Sequence, residues 1–382
     1  MRTPLAARVG REFLASCEKI RVGRLRVVTP EGTRHDFGEE GPEAEIEIHD
    51  WAAVTAMAAR GDIGFGEAYV AGLWDSPSIE AVTTVALRNL DTLGGFAYPS
   101  TWSRLGLLFV DRVLRANSKR GASRNIRAHY DVGNDFYALW LDPTMTYSSA
   151  LFGEGDDLEA AQKRKYRRIL SRLSDGESVL EIGCGWGGFA EAAVAEGRRV
   201  TGITISPSQK AWAERRLGPP AEIRLEDYRQ TRGTFDNIVS IEMIEAVGER
   251  YWPAYFRTLA RRLREGGRAV VQAITVSDAY FPIYRKGSDY IRHHTFPGGM
   301  LLSNGVIAAE ARRAGLAVAD SFAFGAHYAR TCRTWAARLA AAAPRIRAMG
   351  RTDAFLRSWQ FYLEICAASF ATGQTDVVQV EL

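Results

Sequence analysis

The stretch Val179 to Gly188, VLEIGCGWGG, carries the most direct chemical signal in the chain. An apolar run ends in an acid and passes at once into Gly183-Cys184-Gly185-Trp186-Gly187-Gly188. Such a run reads as a buried parallel strand, and the glycines as a tight turn into a helix. A backbone without Cβ atoms can approach a ligand closely there and take positive φ. The spacing is GxGxG and not the GxGxxG of dinucleotide sites. A nucleoside whose tail is an amino acid fits better than one carrying a pyrophosphate, which points to S-adenosylmethionine. The competing reading is a plain strand–turn–helix with several glycines. Roughly 20 residues further on, where dinucleotide enzymes place an acid for the ribose hydroxyls, the chain reads Gly202-Ile203-Thr204-Ile205-Ser206, followed by the Gln209 amide. Asp227-Tyr228-Arg229 closes a third strand region, where Tyr228 offers either a flat face to an adenine or an ordinary core aromatic.

The elements that must position these residues are legible as an alternation. Strands are expected at Val179–Ile182, Arg199–Ile205, Ala221–Leu225, Asn237–Ile241 and Arg268–Ile274. Helices are expected at Phe189–Glu196, Pro207–Leu217 and Tyr251–Leu263. Repeated β-α units of this length imply an α/β fold, a parallel sheet with helices on both faces. Ligands bind beyond the carboxyl ends of such strands. Glu181–Gly188, Thr204–Gln209, Asp227-Tyr228 and Glu242–Gly248 all fall on that rim.

Ahead of the sheet, Asn125 to Phe152 interleaves His129, Asp131, Asn134 and Asp135 with Tyr130, Phe136, Tyr137, Trp140, Tyr147 and Phe152. So many aromatics suit a segment that packs over a site and keeps water out. Residues 1–95 form a first unit, with strands between Arg24 and Ile48 around a Pro30-Glu31-Gly32 turn and helices at Trp51–Arg60 and Ser78–Leu90, the second capped by Ser78. Residues 96–124 read as a basic linker. Arg112, Arg115, Lys119, Arg120, Arg124 and Arg127 occur with no acid among them, and Lys163 to Arg172 is a second cationic stretch bearing Ile169, Leu170 and Leu173 at helical spacing. Each stretch is either a solvated face or a contact for an anionic membrane surface, where each Lys or Arg adds about 1 kcal/mol of attraction. The remainder, 125–382, is expected to form the second domain.

At 382 residues, two domains are expected. With 25% charged and 46% hydrophobic residues the composition is that of an ordinary soluble protein. Cys17, Cys184, Cys332 and Cys366 lie far apart and show no metal-ligand spacing, so reduced thiols in a cytoplasmic protein and no metal are expected. No apolar run has the length of a membrane span, and the N-terminus lacks the apolar core of a secretory signal.

Read together, HYDVGNDFY, MTYSSALF, LEIGCGWGG, GITISPSQ, EDYR, SIEMIEAVG and FPGG resemble, in order, the cyclopropane fatty acid synthase family, which includes the mycolic acid cyclopropane synthases. The resemblance runs from about Asn125 to the C-terminus, and GEAYVAGLWDSP (Gly66 to Pro77) resembles the extra N-terminal domain of longer members. It implies a Rossmann-like class I methyltransferase domain with a mostly parallel doubly wound sheet, and a smaller α+β N-terminal domain. It also implies S-adenosylmethionine-dependent methylation of the cis double bond of an unsaturated phospholipid acyl chain. The cofactor contacts implied are Tyr147, Ser148, Gly183, Gly185, Thr204, Gln209 and Tyr228. The family also binds a bicarbonate ion as base, and the matching positions are Ser149, Glu245, Gln272, Ile274 and Tyr328. Three positions depart from the pattern: Ser149 stands for a cysteine, Gln272 for a histidine, and Ala246 for a histidine after the glutamate.

An alkene is a poor nucleophile, and holding the methyl donor in line with its π face is worth about 7–11 kcal/mol. The carbocation left behind is stabilised by aromatic faces such as Tyr147 or Tyr328. Removing a proton from the new methyl group closes a cyclopropane ring; removing one from the adjacent chain leaves a methyl-branched or methylene product. Ser149 and Gln272 can still donate to an oxyanion, Glu245 can itself act as base if burial raises its pKa, and both products stay open. The expected setting is the inner face of the membrane, peripherally bound, with a homo-oligomer undecided. No concentrated basic groove marks the sheet domain for nucleic acid. The alternatives are a methyltransferase for a soluble small molecule, and an inactive cofactor-binding partner subunit.

Overall fold

The computed structural model describes residues 4–97 and 132–382. The basic run Arg112 to Arg127 and the residues His129, Tyr130 and Asp131 therefore lie outside the described residues. Backbone proximity divides the chain into two compact units, and the division interleaves instead of following the chain. Lys286–Thr295 and Cys332–Gln374 group with the N-terminal segment, and the remainder forms the second unit. The boundary expected near residue 95 therefore leaves out two later segments of the first unit.

The first unit is built on a sheet of order β2-β1-β3-β4. Strand β1 (Arg24–Val28) pairs antiparallel with β2 (Arg34–Gly38) and parallel with β3 (Glu43–Ile48), which pairs antiparallel with β4 (Trp74–Asp75). Alternation along β1 places Leu25 and Val27 inside and arginines outside. Helices Ala52–Arg60, Asp62–Val70 and Ile79–Arg88 contribute to the same core, the last capped by the Ser78 hydroxyl accepting from the Ala81 amide. From the far end of the sequence, helix Asp353–Ala371 adds Phe361 to a cluster with Trp74, Phe65 and Tyr69. Sequence periodicity did not reveal that the last long helix completes the first core, because that pairing is purely tertiary.

The second unit holds a seven-stranded sheet of order β10-β11-β9-β8-β5-β6-β7. Strands β5 (Ser178–Ile182), β6 (Arg199–Thr204), β7 (Ala221–Leu225), β8 (Phe235–Ile241) and β9 (Leu263–Val276) are parallel. Strand β10 (Asp320–Ala323) pairs antiparallel with β11 (Thr375–Glu381), which is antiparallel to β9. The five parallel strands and the helices Gly188–Ala195, Pro207–Leu217 and Trp252–Arg262 lie where the alternation places them. The β10–β11 pair was not foreseen. The strand order turns back between β5 and β8, so the carboxyl ends of β5, β6 and β8 border the crevice at which such sheets take ligands.

Candidate active site

The glycine turn after β5 has the conformation that its residues require. Gly183 and Gly185 have φ of +85° and +52°, and a Cβ on Gly183 would lie 2.9 Å from the Met243 side chain. A Cβ on Gly185 would meet nothing within 4 Å, so the backbone there borders open space. At the end of β6, the Thr204 hydroxyl donates to Gln209 Oε1 at 2.8 Å, and Ser206 caps the following helix. Tyr228 opens a short 3-10 turn capped by Asp227 and packs edge-on against Tyr255 at 5.7 Å. Its hydroxyl is buried without a hydrogen-bond partner, and burial pushes its pKa up to about 12.

Over this rim lies the aromatic segment. Phe136, Tyr137 and Trp140 are fully buried. The rings of Tyr137 and Trp186 lie 5.0 Å apart, Tyr137 and Tyr147 5.6 Å, and Trp140 and Tyr147 5.5 Å. Trp186 Nε1 donates to Asn134 Oδ1 at 2.8 Å, tying the segment to the glycine turn. Ser148 Oγ accepts from the ammonium of Lys165 at 2.7 Å. Lys165 has no solvent exposure, and burial lowers its pKa to about 7 against the opposing pull of Glu242, Asp142 and Glu181. Glu181, at the end of β5, is likewise buried, and desolvation raises its pKa to about 8.

The second half of the site is a carboxylate centre. Three of the five positions matched to an external oxyanion, Ser149, Gln272 and Tyr328, do converge, but they converge on a side chain of the protein. Glu242, the residue after β8, accepts from the Ser149 backbone amide at 2.8 Å and from Gln272 Nε2 at 2.7 Å on Oε1. The Tyr328 hydroxyl donates to its Oε2 at 2.6 Å. Burial raises the Glu242 pKa, while Tyr328, Lys165, Ser149 and Gln272 hold it back. Its backbone has φ +50°, a region that non-glycine residues visit rarely and at a cost of about 1–2 kcal/mol. Such strain persists where surrounding contacts hold it, often at functional sites.

Glu245 lies beside this centre, and its buried carboxyl meets the condition set for it as a base, a pKa raised by burial. Its Oε1 accepts from the Ile274 amide at 2.5 Å, while its Oε2 is buried without a partner. Desolvation and the neighbouring Glu242 push its pKa up to about 8, so it carries a proton at neutral pH. Ser149 turns its hydroxyl to its neighbour's carbonyl, at Ala150, and contributes only its amide. The fit to bicarbonate fails on these observations: the donors of Ser149, Gln272 and Tyr328 are already committed to Glu242.

Four participants were not singled out from sequence: Glu242, Lys165, Arg168 and Gln379. Lys165 was counted in a cationic stretch, yet it stands on the inward stripe Leu158, Ala161, Lys165, Ile169 of helix Leu158–Leu170, a spacing that marks it as buried. The rest of that stretch is largely paired within the unit: Lys163 with Glu159, Arg164 with Asp156, and Arg172 with Glu381. Away from the site, among the described residues, ligand atoms of Glu67, His293 and His294 approach one another, but Glu67 is already engaged by Arg60 and His294.

The family model described as mycolic acid cyclopropane synthetase matches residues 117–380. The tuberculostearic acid methyltransferase UfaA1 of Mycobacterium tuberculosis is 36% identical over 408 aligned residues, covering 99% of this chain and 94% of its own. The cyclopropane-fatty-acyl-phospholipid synthase of Escherichia coli K12 is 32% identical over 342, covering 88% and 87%. Among solved structures, the mycolic acid cyclopropane synthase CmaA1 complexed with SAH and CTAB is similar with a TM-score of 0.63 at 30% identity, covering 68% of this chain and 97% of that one.

Proposed function

This chain belongs to the mycolic acid cyclopropane synthetase family, and we propose that in it the carboxylate of Glu242 is the base. The protein is an S-adenosylmethionine-dependent methyltransferase acting on the double bond of unsaturated fatty acyl chains. The observation that carries the assignment of the base is the convergence of Ser149, Gln272 and Tyr328 on Glu242.

The cofactor, when bound, supplies an electrophilic methyl group. The rim fits it: Gly185 borders open space, Thr204 and Gln209 offer neutral hydrogen-bonding groups to a ribose, and Tyr228 presents a ring for the adenine. Tyr147 and Ser148 complete this half. With the cofactor bound, the acyl alkene would form a bond from one of its carbons to the methyl carbon as the methyl–sulfur bond breaks, the electron pair of that bond staying on sulfur as a neutral thioether and a cation being left on the neighbouring alkene carbon. The rings of Tyr147 and Tyr328 face that charge, a contact worth roughly 2 kcal/mol when dry. Tyr137 and Trp140 keep water from trapping it. Glu242 then takes one proton, and the electron pair of the broken C–H bond neutralises the cation.

That pair forms either a ring or an open-chain alkene, and the two products are isomers. We read the product as open-chain. Supporting this, the relative aligned along almost the whole of both chains is named as a methyltransferase, and positions 149 and 272 lack the cysteine and histidine of the ring-forming pattern. A saturated branch would need a separate hydride donor. An active enzyme is favoured over an inactive subunit because the altered positions still supply donors, to Glu242. The acyl chain is read as phospholipid-borne. Among the described residues no helix is long and apolar enough to cross a membrane. Surface attachment is assigned to the cations between Arg112 and Arg127, and high salt should release the protein from anionic vesicles while leaving cofactor affinity intact.

The test is incubation with methyl-labelled S-adenosylmethionine and unsaturated phospholipid vesicles, followed by NMR of the isolated lipid. Vinyl signals are expected. Upfield cyclopropane protons would overturn the open-chain reading, and unlabelled lipid despite cofactor binding would overturn the substrate.

A further inference from the structure

Behind Glu242 runs a line of hydrogen bonds that the reaction itself does not use. Arg168 Nη1 donates to Gln379 Oε1 at 2.7 Å, Gln379 Nε2 donates to Gln272 Oε1 at 2.9 Å, and Gln272 Nε2 donates to Glu242 Oε1 at 2.7 Å. The line crosses the sheet at one level. Gln379 on β11 is the register partner of Gln272 on β9, and Gln272 is the partner of Ile241, the residue before Glu242. Directly opposed residues on neighbouring strands place their side chains on the same face, within reach of each other.

We propose that Arg168 and Gln379 are positioning residues: Arg168 fixes which way round the Gln379 amide sits, and Gln379 in turn forces Gln272 to present an N–H to Glu242. This rests on Glu242 acting as the base. A guanidinium has donors only, so the amide atom facing it must be oxygen. Gln379 is then left with its NH₂ towards Gln272, and Gln272 with its NH₂ towards Glu242. Both amides are buried, with 1% and 0% of their surface exposed, so neither can turn without losing two hydrogen bonds at once. Without the cation the chain could run the other way and set the Gln272 oxygen against a carboxylate oxygen. Arg168 is itself held in place, its guanidinium 4.0 Å above the centre of the Phe322 ring.

The charges facing this line come from several elements. Lys165 on helix Leu158–Leu170, Tyr328 on helix Gly325–Ala341 and the neighbouring Glu245 face Glu242; Arg172, Glu381 and Asp320 face Arg168. Of these, the relay alone delivers its donor through groups whose orientation can be reversed. An N–H turned to a carboxylate favours its ionised form, the form able to take a proton.

Gln379→Glu keeps the shape and reverses the polarity. One oxygen accepts from Arg168, which keeps the new acid ionised, and the other demands the NH₂ of Gln272, turning its oxygen on Glu242. The acid limb of the pH–rate profile should move up by about one unit or more. On the acid limb the rate at a given pH should fall ~10-fold and recover as pH rises, with cofactor affinity and lipid KM unchanged. Arg168→Met, at the half-buried end of the line, should shift the limb in the same direction by less, and Arg168→Lys should reverse most of that shift; this pair decides the matter if Gln379→Glu does not fold. Unmoved profiles in both Gln379→Glu and Arg168→Met, with Glu242→Gln inactive, would overturn the relay alone. Turnover retained by Glu242→Gln would instead overturn the assignment of the base.

Discussion

The cofactor rim and the carboxylate centre lie in one unit, on neighbouring strand ends, and are made in opposite ways. The rim uses backbone freedom at Gly183 and Gly185 and neutral groups at Thr204 and Gln209, each a few residues from the next strand end. The carboxylate centre gathers Ser149, Glu242, Gln272, Tyr328 and Gln379 from distant parts of the chain and holds a glutamate on strained backbone. A nucleoside can be bound by local turns. A base whose ionisation decides turnover needs its donors set around it in three dimensions.

That contrast is sharpest at Glu242. Glu242→Gln should lower kcat by ~10³-fold, within the usual range for loss of a general base, while cofactor affinity measured by calorimetry stays the same. A parallel loss of cofactor binding would merge the two regions into one. Gly185→Val should do the reverse. A β-branched residue at φ +52° is strained, and its side chain would enter the space the cofactor needs. Cofactor affinity should fall by about tenfold or more, some 1.4 kcal/mol.

Lys165 joins the regions, since its ammonium donates to Ser148 and its charge supports Glu242. Lys165→Met should therefore show both effects in reduced form: a few-fold weaker cofactor binding and an acid limb moved to higher pH. An effect on one alone would assign the lysine to that half.

The smallest effect concerns stability. Burial lifts Glu245 from 4.5 to about 8 in the folded protein, so its contribution is present below its ordinary pKa and is lost as pH rises through about 8. Glu245→Gln should flatten the fall in the urea midpoint across that window. Glu181, raised to a similar value, keeps a residual slope of the same sign.

The parallel strands, their helices and the glycine turn were legible because each is written in consecutive residues: apolar runs, Ser206-Pro207 at a helix start, GxGxG after a strand. Tyr228, Thr204 and Gln209 followed from strand ends. The carboxylate centre was half legible. Resemblance marked Ser149, Glu245, Gln272, Ile274 and Tyr328, but not Glu242, whose role depends on a positive φ and on donors brought in from other strands. Lys165 was hidden by counting charge in place of reading helical phase. Gln379 could not be found without the register of β11 on β9, an antiparallel strand that arrives only at the chain's end.

In the proposed mechanism Glu242 stands where the family uses an external oxyanion, and Glu242→Gly separates the two kinds of base. Glycine relieves the φ +50° strain, which offsets part of the cost of leaving buried donors without their acceptor, and folding of the variant is checked by circular dichroism. It also frees the donors of Ser149, Gln272 and Tyr328 for a small anion. The parent should methylate lipid equally well in bicarbonate-depleted buffer and with bicarbonate added. The glycine variant should be inactive in the first and regain activity with added bicarbonate in a saturable way. A parent that needs bicarbonate, or a glycine variant that stays fully active without it, would rule out Glu242 as the base.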